Sequence, residues 1–425
     1  MDLRPFRAVR YTPAAGPMEQ LLCPPYDVIS VAQERALLAR NPHNMVRLEL
    51  AEMSGDAPPS RYSDAAAAFA AMQADGTLAR DDAPSYYLLR QRFSMDGRTH
   101  ERWGLLGALK AEELGTGVLP HEDTAPGPKA DRLALMEATG ANFSPIMLLY
   151  RDPSGTVDAA RRTAAAGVPL ADFTADDGQG YALWRLDDPS ALAAIGAALA
   201  NQLAYIADGH HRYETSVVYA GRHPEGGEAG SRVLACLIDF ADPGLLIQPY
   251  YRVLHSLSPV QHQRLEQVLA EGFTALPAPT GARTGAALQE AVDRAAQDTV
   301  VLGIAEQGKP ARLLTPTTAT APQPDAKAAP EVQVRSVEAR LLQEAVFRPV
   351  LGDGFPANVA YVHDGAEALA MVERGEGQMA FFVKGVPAPV FEAVVGAGIR
   401  LPRKSTYFHP KLPSGLVIKL LVGEL

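Results

Sequence analysis

Leu203-Ala204-Tyr205-Ile206-Ala207-Asp208-Gly209-His210-His211-Arg212-Tyr213-Glu214-Thr215-Ser216-Val217-Val218-Tyr219 is the stretch on which the reading of this chain turns. Residues 203–207 are a short apolar run of the kind that forms a buried strand. Gly209 permits a tight turn, and 213–219 suits a helix. Strand, turn and helix in that order indicate an α/β protein. A helix start leaves backbone N–H groups without intrahelical partners and carries the positive end of the dipole. Such a terminus is a ready anion site. His210, His211 and Arg212 add donors suited to phosphate, Arg212 above all. Asp208, at the strand end, can hold a metal ion or a substrate hydroxyl. The plainer alternative is a surface turn with a satisfied histidine pair. Zinc ranks low, because adjacent histidines are poorly spaced ligands and no cysteine lies near in sequence.

The same alternation extends outward. Residues 86–93 and 103–110 read as strands around the turn Met95-Asp96-Gly97-Arg98, which suggests a hairpin. Further strands are expected at 146–150, 181–186 and 232–240. Asp188-Pro189-Ser190 opens an Ala-rich helix with a cap and a first-turn proline. Beyond about residue 257 the pattern is helix (258–271), helix (286–297) and strand (299–305), then alternating helix and strand from 337 to 383. The Thr-, Ala- and Pro-rich segment 315–330 reads as linker-like. Two regions are expected, 1–256 and 257–425.

Composition narrows the function classes. The chain has 425 residues, 47% hydrophobic and 21% charged, which suits a globular protein of two or three domains. Its net charge of -10 gives no counterion gain on nucleic acid, and no basic stripe offsets it. A nucleic-acid partner is therefore not expected. The two cysteines, Cys23 and Cys236, make neither a metal motif nor a disulfide framework, which fits a reducing compartment. Met1-Asp2-Leu3-Arg4-Pro5-Phe6-Arg7 precedes no long apolar run, and no stretch approaches the roughly 20 apolar residues of a membrane span. A soluble, cytoplasmic protein is expected.

The second candidate segment is Leu119-Pro120-His121-Glu122-Asp123-Thr124-Ala125-Pro126-Gly127-Pro128-Lys129-Ala130-Asp131-Arg132. It reads as a proline-stiffened loop leading into a helix near Asp131. His121 and Glu122 can supply a general base, while Lys129 and Arg132 can hold phosphates. An ordinary solvated loop is the equal alternative. Three weaker candidates remain. Pro24-Pro25-Tyr26-Asp27 is a rigid turn in which Asp27 can serve as a helix cap. Asn41-Pro42-His43-Asn44 reads as a turn feeding a strand at 45–48. Pro402-Arg403-Lys404-Ser405-Thr406-Tyr407-Phe408-His409-Pro410-Lys411 is a basic loop, or equally a surface turn.

In combination and in order, Pro24-Pro25-Tyr26-Asp27-Val28-Ile29, His121-Glu122, Pro128-Lys129, Asp131-Arg132, Asp208 to Thr215 and Lys404 to Lys411 resemble domain-of-unknown-function family 1015 over nearly the whole chain. One departure stands out. The family's usual His-Arg pair in the region after Gly244-Leu245 is replaced by Tyr250-Tyr251-Arg252, so no role for that histidine is carried over. The Asp-Gly-His-His-Arg loop also resembles the phosphate-binding loop of the ParB/sulfiredoxin-like superfamily. Free serine kinases of that superfamily place a His-Glu pair upstream of such a loop, with the Glu as base on the serine hydroxyl. The matching positions are His121-Glu122 and 208–212, at a longer spacing. The resemblance implies a mixed α+β fold with a ParB/sulfiredoxin-like core and an additional α/β region.

The expectation is a nucleotide-dependent small-molecule phosphotransferase, in its finer form a free L-serine kinase of serine metabolism, using ATP or ADP with Mg2+. Glu122, beside His121, takes the acceptor proton. Gly209, His210, His211 and Arg212 cradle phosphates. Lys129 and Arg132 neutralise them, with Lys404 a further candidate. Asp208 binds the metal or orients the acceptor. The other expectation is a non-catalytic nucleotide-sensing regulatory protein of the same superfamily, which would survive loss of Glu122.

Overall fold

In the computed structural model, five apolar residues after Pro145 form the strand Ile146–Tyr150, all of them buried. A run without polar alternation is what a strand covered on both faces requires. It pairs antiparallel with Ala204–Asp208 and parallel with Arg232–Asp239. The structure describes residues 1–50, 60–95, 97–124, 126–277, 284–297, 299–321, 325 and 327–425. By backbone proximity these form two units, Met1–Leu246 with Pro410–Leu425, and Ile247–His409. The fold is mixed α/β.

The first unit is built on a sheet of nine strands among the described residues. Its order is Val118–Leu119, Ala204–Asp208, Ile146–Tyr150, Arg232–Asp239, Arg98–Lys110, Tyr86–Met95, Gly180–Leu186 and Ala171–Thr174, with Leu3–Arg4 also on Arg98–Lys110. The hairpin pairs out to Met95↔Arg98, and Asp96 of its turn lies outside the described residues. Asp188 accepts the Ala191 N–H at 2.8 Å and caps Pro189–Leu199. Leu148, Ile206 and Leu237 from three adjacent strands share a core with Leu88, Trp184 and Tyr213.

Three local expectations are corrected. The helix expected near Asp131 begins at Pro126. Its first N–H groups lack helical partners in any case, so prolines at 126 and 128 are tolerated there. Residues 46–49 are helical, not a strand, because the Asn44 side chain accepts the Val46 N–H at 3.0 Å and starts a turn. The cap expected of Asp27 belongs to Ser30, which forms a capping box with Gln33 at the head of Val31–Arg40.

The second unit has an antiparallel sheet in the order Phe273–Ala275, Arg312–Pro316, Leu302–Glu306, Met379–Phe382, Tyr251–Leu254 and Val359–Val362. Ser258 and Gln261 form a capping box for Pro259–Gly272, with Pro259 in the first turn. Within the segment 315–330, the strand Arg312–Pro316 ends and the helix Pro330–Gln333 begins; residues 322–324 and 326 lie outside the described residues. Among the described residues no helix is long and apolar enough to cross a membrane.

Candidate functional site

The 208–212 loop sits where the Ala204–Asp208 strand leaves the sheet. The register against Ile146–Tyr150 shifts between Ile206 and Asp208, and an irregularity of this kind re-aims the side chain that follows. Gly209 turns the chain with φ +95°, and a helix runs over His210–Arg222 without a side-chain cap hydrogen bond at its start. A Cβ on residue 209 would lie 3.0 Å from Arg212 Nη2 and 3.1 Å from its Cζ and Nε. Glycine is thus required twice, by the backbone angle and by the guanidinium folded against it.

Arg212 donates from Nη1 to the Pro145 carbonyl at 2.7 Å and from Nη2 to Asp208 Oδ2 at 2.7 Å. The other Asp208 oxygen, Oδ1, receives the Lys411 ammonium. These are partly desolvated pairs, with Asp208 12%, Arg212 10% and Lys411 13% exposed at the side chain. One carboxylate between two cations leaves a positive balance beside the positive end of the helix.

His121 and Glu122 reach this loop because Val118–Leu119 pairs in parallel with Ala204–Tyr205. That register sets the next residues alongside the strand end. The His121 backbone N–H donates to His210 Nε2 at 3.2 Å, across 89 positions of sequence. His121 Nδ1 lies 2.7 Å from the Ile206 carbonyl; a carbonyl only accepts, so Nδ1 carries the proton. Burial pushes the His121 imidazole below the ordinary histidine range, so the ring is neutral at pH 7. His210 Nε2, as an acceptor, leaves the proton of its neutral ring on Nδ1, 3.6 Å from Glu122 Oε1. Glu122 retains 24% side-chain exposure. The arrangement is a solvent-reachable carboxylate close to a neutral imidazole, at the head of an anion-favouring helix.

Lys129 and Arg132 differ in situation. Lys129 pairs with Glu214 at 2.8 Å, and Thr124 donates to the same carboxylate oxygen at 2.8 Å. This ties the 119–132 segment to the second turn of the 210–222 helix, with Lys129 still one-third exposed. Arg132 is buried. It donates to the Glu49 carbonyl at 2.8 Å, pairs with Asp131 at 2.6 Å and lies 4.2 Å from the Tyr26 ring centroid. Glu49 lies 3.8 Å away and accepts from Ser144 at 2.9 Å. Burial raises the Asp131 carboxyl, but Arg132, Tyr62 and Arg61 outweigh it and hold the group below the usual range.

Lys404 belongs to the second unit. Its backbone is left-handed, φ +58°, its carbonyl accepts from Arg252 at 3.0 Å, and its ammonium stands 5.0 Å from the Tyr250 ring centroid. Of the tyrosines that replace the family's histidine, Tyr251 packs on Phe382 with centroids 4.6 Å apart. Among the described residues, three metal-ligating side chains converge at His262, Glu266 and Glu306 of the second unit. There Lys309 and Arg312 already pair with both carboxylates.

The reading from sequence missed Lys411, Glu49 and Glu214 as members of this neighbourhood. Lys411 lay within a quoted motif, but nothing local couples it to Asp208. Glu214 likewise lies within the Asp208-to-Thr215 motif with nothing local to couple it to Lys129, and Glu49 carries no local signal.

The model for the family described as "Protein of unknown function (DUF1015)" matches residues 3–339. No curated protein matches the chain. Similar solved structures include a free serine kinase in complex with AMP, 13% identical, with a TM-score of 0.35, covering 74% of this chain and 91% of that one. A conserved hypothetical protein from Pyrococcus furiosus is 16% identical, with a TM-score of 0.36, covering 75% and 95%. SbnI with C-terminal truncation from Staphylococcus aureus is 12% identical, with a TM-score of 0.36, covering 74% and 87%. With more than three quarters of its length matched by that family model, the chain belongs to the DUF1015 family.

Proposed function

We propose that this protein is a nucleotide-dependent phosphotransferase that phosphorylates the hydroxyl group of a small molecule. The observation that carries the reading is the meeting of His121-Glu122 with the 208–212 loop, through His210, across 89 positions of sequence. Phosphoryl transfer asks for charge neutralisation and positioning more than for covalent chemistry. The uncapped start of the 210–222 helix, with His211 and Lys129, supplies donors for phosphate oxygens. Glu122, close to His210, takes the proton of the acceptor hydroxyl. His121, neutral and locked onto the Ile206 carbonyl, holds His210 in turn. A bound nucleotide supplies the transferable phosphoryl group.

Both Asp208 oxygens already hold cations. This favours Asp208 as the anchor of a cationic loop over Asp208 as a magnesium ligand. Arg212 then shapes the loop as well as charging it, and Arg132 supports the helix that carries Lys129. The order of the His-Glu pair and the Asp-Gly-His-His-Arg loop, which resembles that of free serine kinases, makes L-serine the first acceptor to try.

Incubating the purified protein with labelled ATP or ADP and a panel of amino acids and hydroxylated metabolites tests the reading. Transfer of label to one acceptor class is expected. Nucleotide binding without transfer to any acceptor would instead leave a nucleotide sensor.

A further inference from the structure

The C-terminal tail, Pro410–Leu425, belongs to the first unit and delivers an ammonium to the 208–212 loop. Several contacts fix the tail. Lys419–Leu420 pairs antiparallel with Ala141–Asn142, and Ile418 and Ser414 bridge Val9 and Cys23. The buried Lys419 ammonium donates to the Ala229 and Leu420 carbonyls at 2.6 and 3.0 Å.

Ahead of these contacts the sheet itself grips the chain. Gln91 and Arg102 face each other across paired strands. The Arg102 guanidinium donates to Gln91 Oε1 at 2.6 Å and to the Pro410 carbonyl at 2.5 Å, while Gln91 Nε2 donates to the Lys411 carbonyl at 3.2 Å. Arg102 is almost wholly buried, and burial pushes its guanidinium down to about 10. A buried cation is costly unless it makes strong contacts. Here two of those contacts, direct and through Gln91, clamp successive carbonyls at a single lysine. The Lys411 side chain then ends on Asp208, opposite Arg212.

We propose that Lys411 is a phosphate-binding residue of this site, so that the tail completes the nucleotide-binding surface. The proposal rests on the phosphotransferase reading above. Asp208 fixes the direction of the ammonium. A phosphate oxygen arriving at the helix start meets a compact positive charge whose backbone is already clamped, which lowers the ordering cost of binding. A lysine used in this way acts as a point charge.

Calorimetry with ADP on the full chain, as wild type, Lys411→Met and Lys411→Arg, tests the proposal, with tryptophan fluorescence confirming that each variant is folded. Lys411→Met is expected to weaken ADP binding by about tenfold or more, the loss of one charge-assisted contact. It should also flatten the salt dependence of the affinity, and Lys411→Arg should recover part of the loss. Unchanged ADP affinity in Lys411→Met overturns the proposal. So does a loss that leaves the salt dependence untouched and that arginine does not relieve, which marks a purely structural role. A wild type that binds no ADP overturns the phosphotransferase reading, and the proposal with it.

Discussion

Replacing Gly209 by alanine is expected to destabilise the first unit by about 2–4 kcal/mol. The residue turns at φ +95°, a conformation that costs a residue with a Cβ about 1–2 kcal/mol. The new methyl group would also meet the Arg212 guanidinium at 3.0–3.1 Å. That group cannot step aside freely, because it holds the Pro145 carbonyl and Asp208, each at 2.7 Å. A charge-assisted hydrogen bond is worth about 1.5–3 kcal/mol when lost entirely, and part of that is lost when the guanidinium is pushed away. Gly178→Ala isolates the backbone share, since Gly178 has φ +81° and nothing within 4 Å of a Cβ. It should cost only about 1–2 kcal/mol. Both tryptophans of the chain, Trp103 and Trp184, lie in the first unit, so urea titration followed by their fluorescence reports on that unit. Equal losses in the two variants would refute the role of Arg212 packing. A Gly209→Ala protein within about 0.5 kcal/mol of wild type would refute the whole argument.

Two further outcomes are expected in the same assay. Arg132→Met should cost about 3–5 kcal/mol, because it removes the cation facing Glu49, which is 2% exposed and would keep its Ser144 donor but lose its charge partner; unchanged stability would show that Arg132 is not the support described. The neutral, buried His121 has a lowered pKa, so as pH falls below about 6.5 the unfolded chain takes a proton first. Its stability contribution is therefore complete above that pH and is lost as pH falls through the folded value. His121→Gln should flatten the stability slope there by up to about 1.4 kcal/mol per pH unit, and equal slopes would count against a neutral His121.

Elements whose local pattern agrees with their packing are legible in the sequence. The 146–150 strand follows from an unbroken apolar run, and Asp188-Pro189 announces its helix through a cap and a first-turn proline. At 45–48 the local reading fails, since Val, Arg and Leu suit a strand equally well, and the Asn44 side chain decides for a helix. The helix start at Pro126 is hidden because its prolines resemble a loop. The 208–212 loop is legible because a glycine and four reactive side chains are contiguous. What surrounds it is not. That Arg132 finds Glu49, that Lys411 finds Asp208 and that Gln91 and Arg102 hold the tail all depend on strand order and register, which no local stretch encodes.

Glu122→Gln tests the central claim most directly, with turnover and nucleotide affinity measured on the same preparation once an acceptor is found. The amide keeps the shape of the carboxylate beside His210 but cannot take a proton. Turnover is expected to fall about 10²–10⁴-fold with nucleotide affinity nearly unchanged, since Glu122 is not among the phosphate-binding groups. Wild-type turnover in the variant would contradict the assignment of Glu122 as the base, and loss of turnover together with nucleotide binding would contradict its separation from the phosphate site.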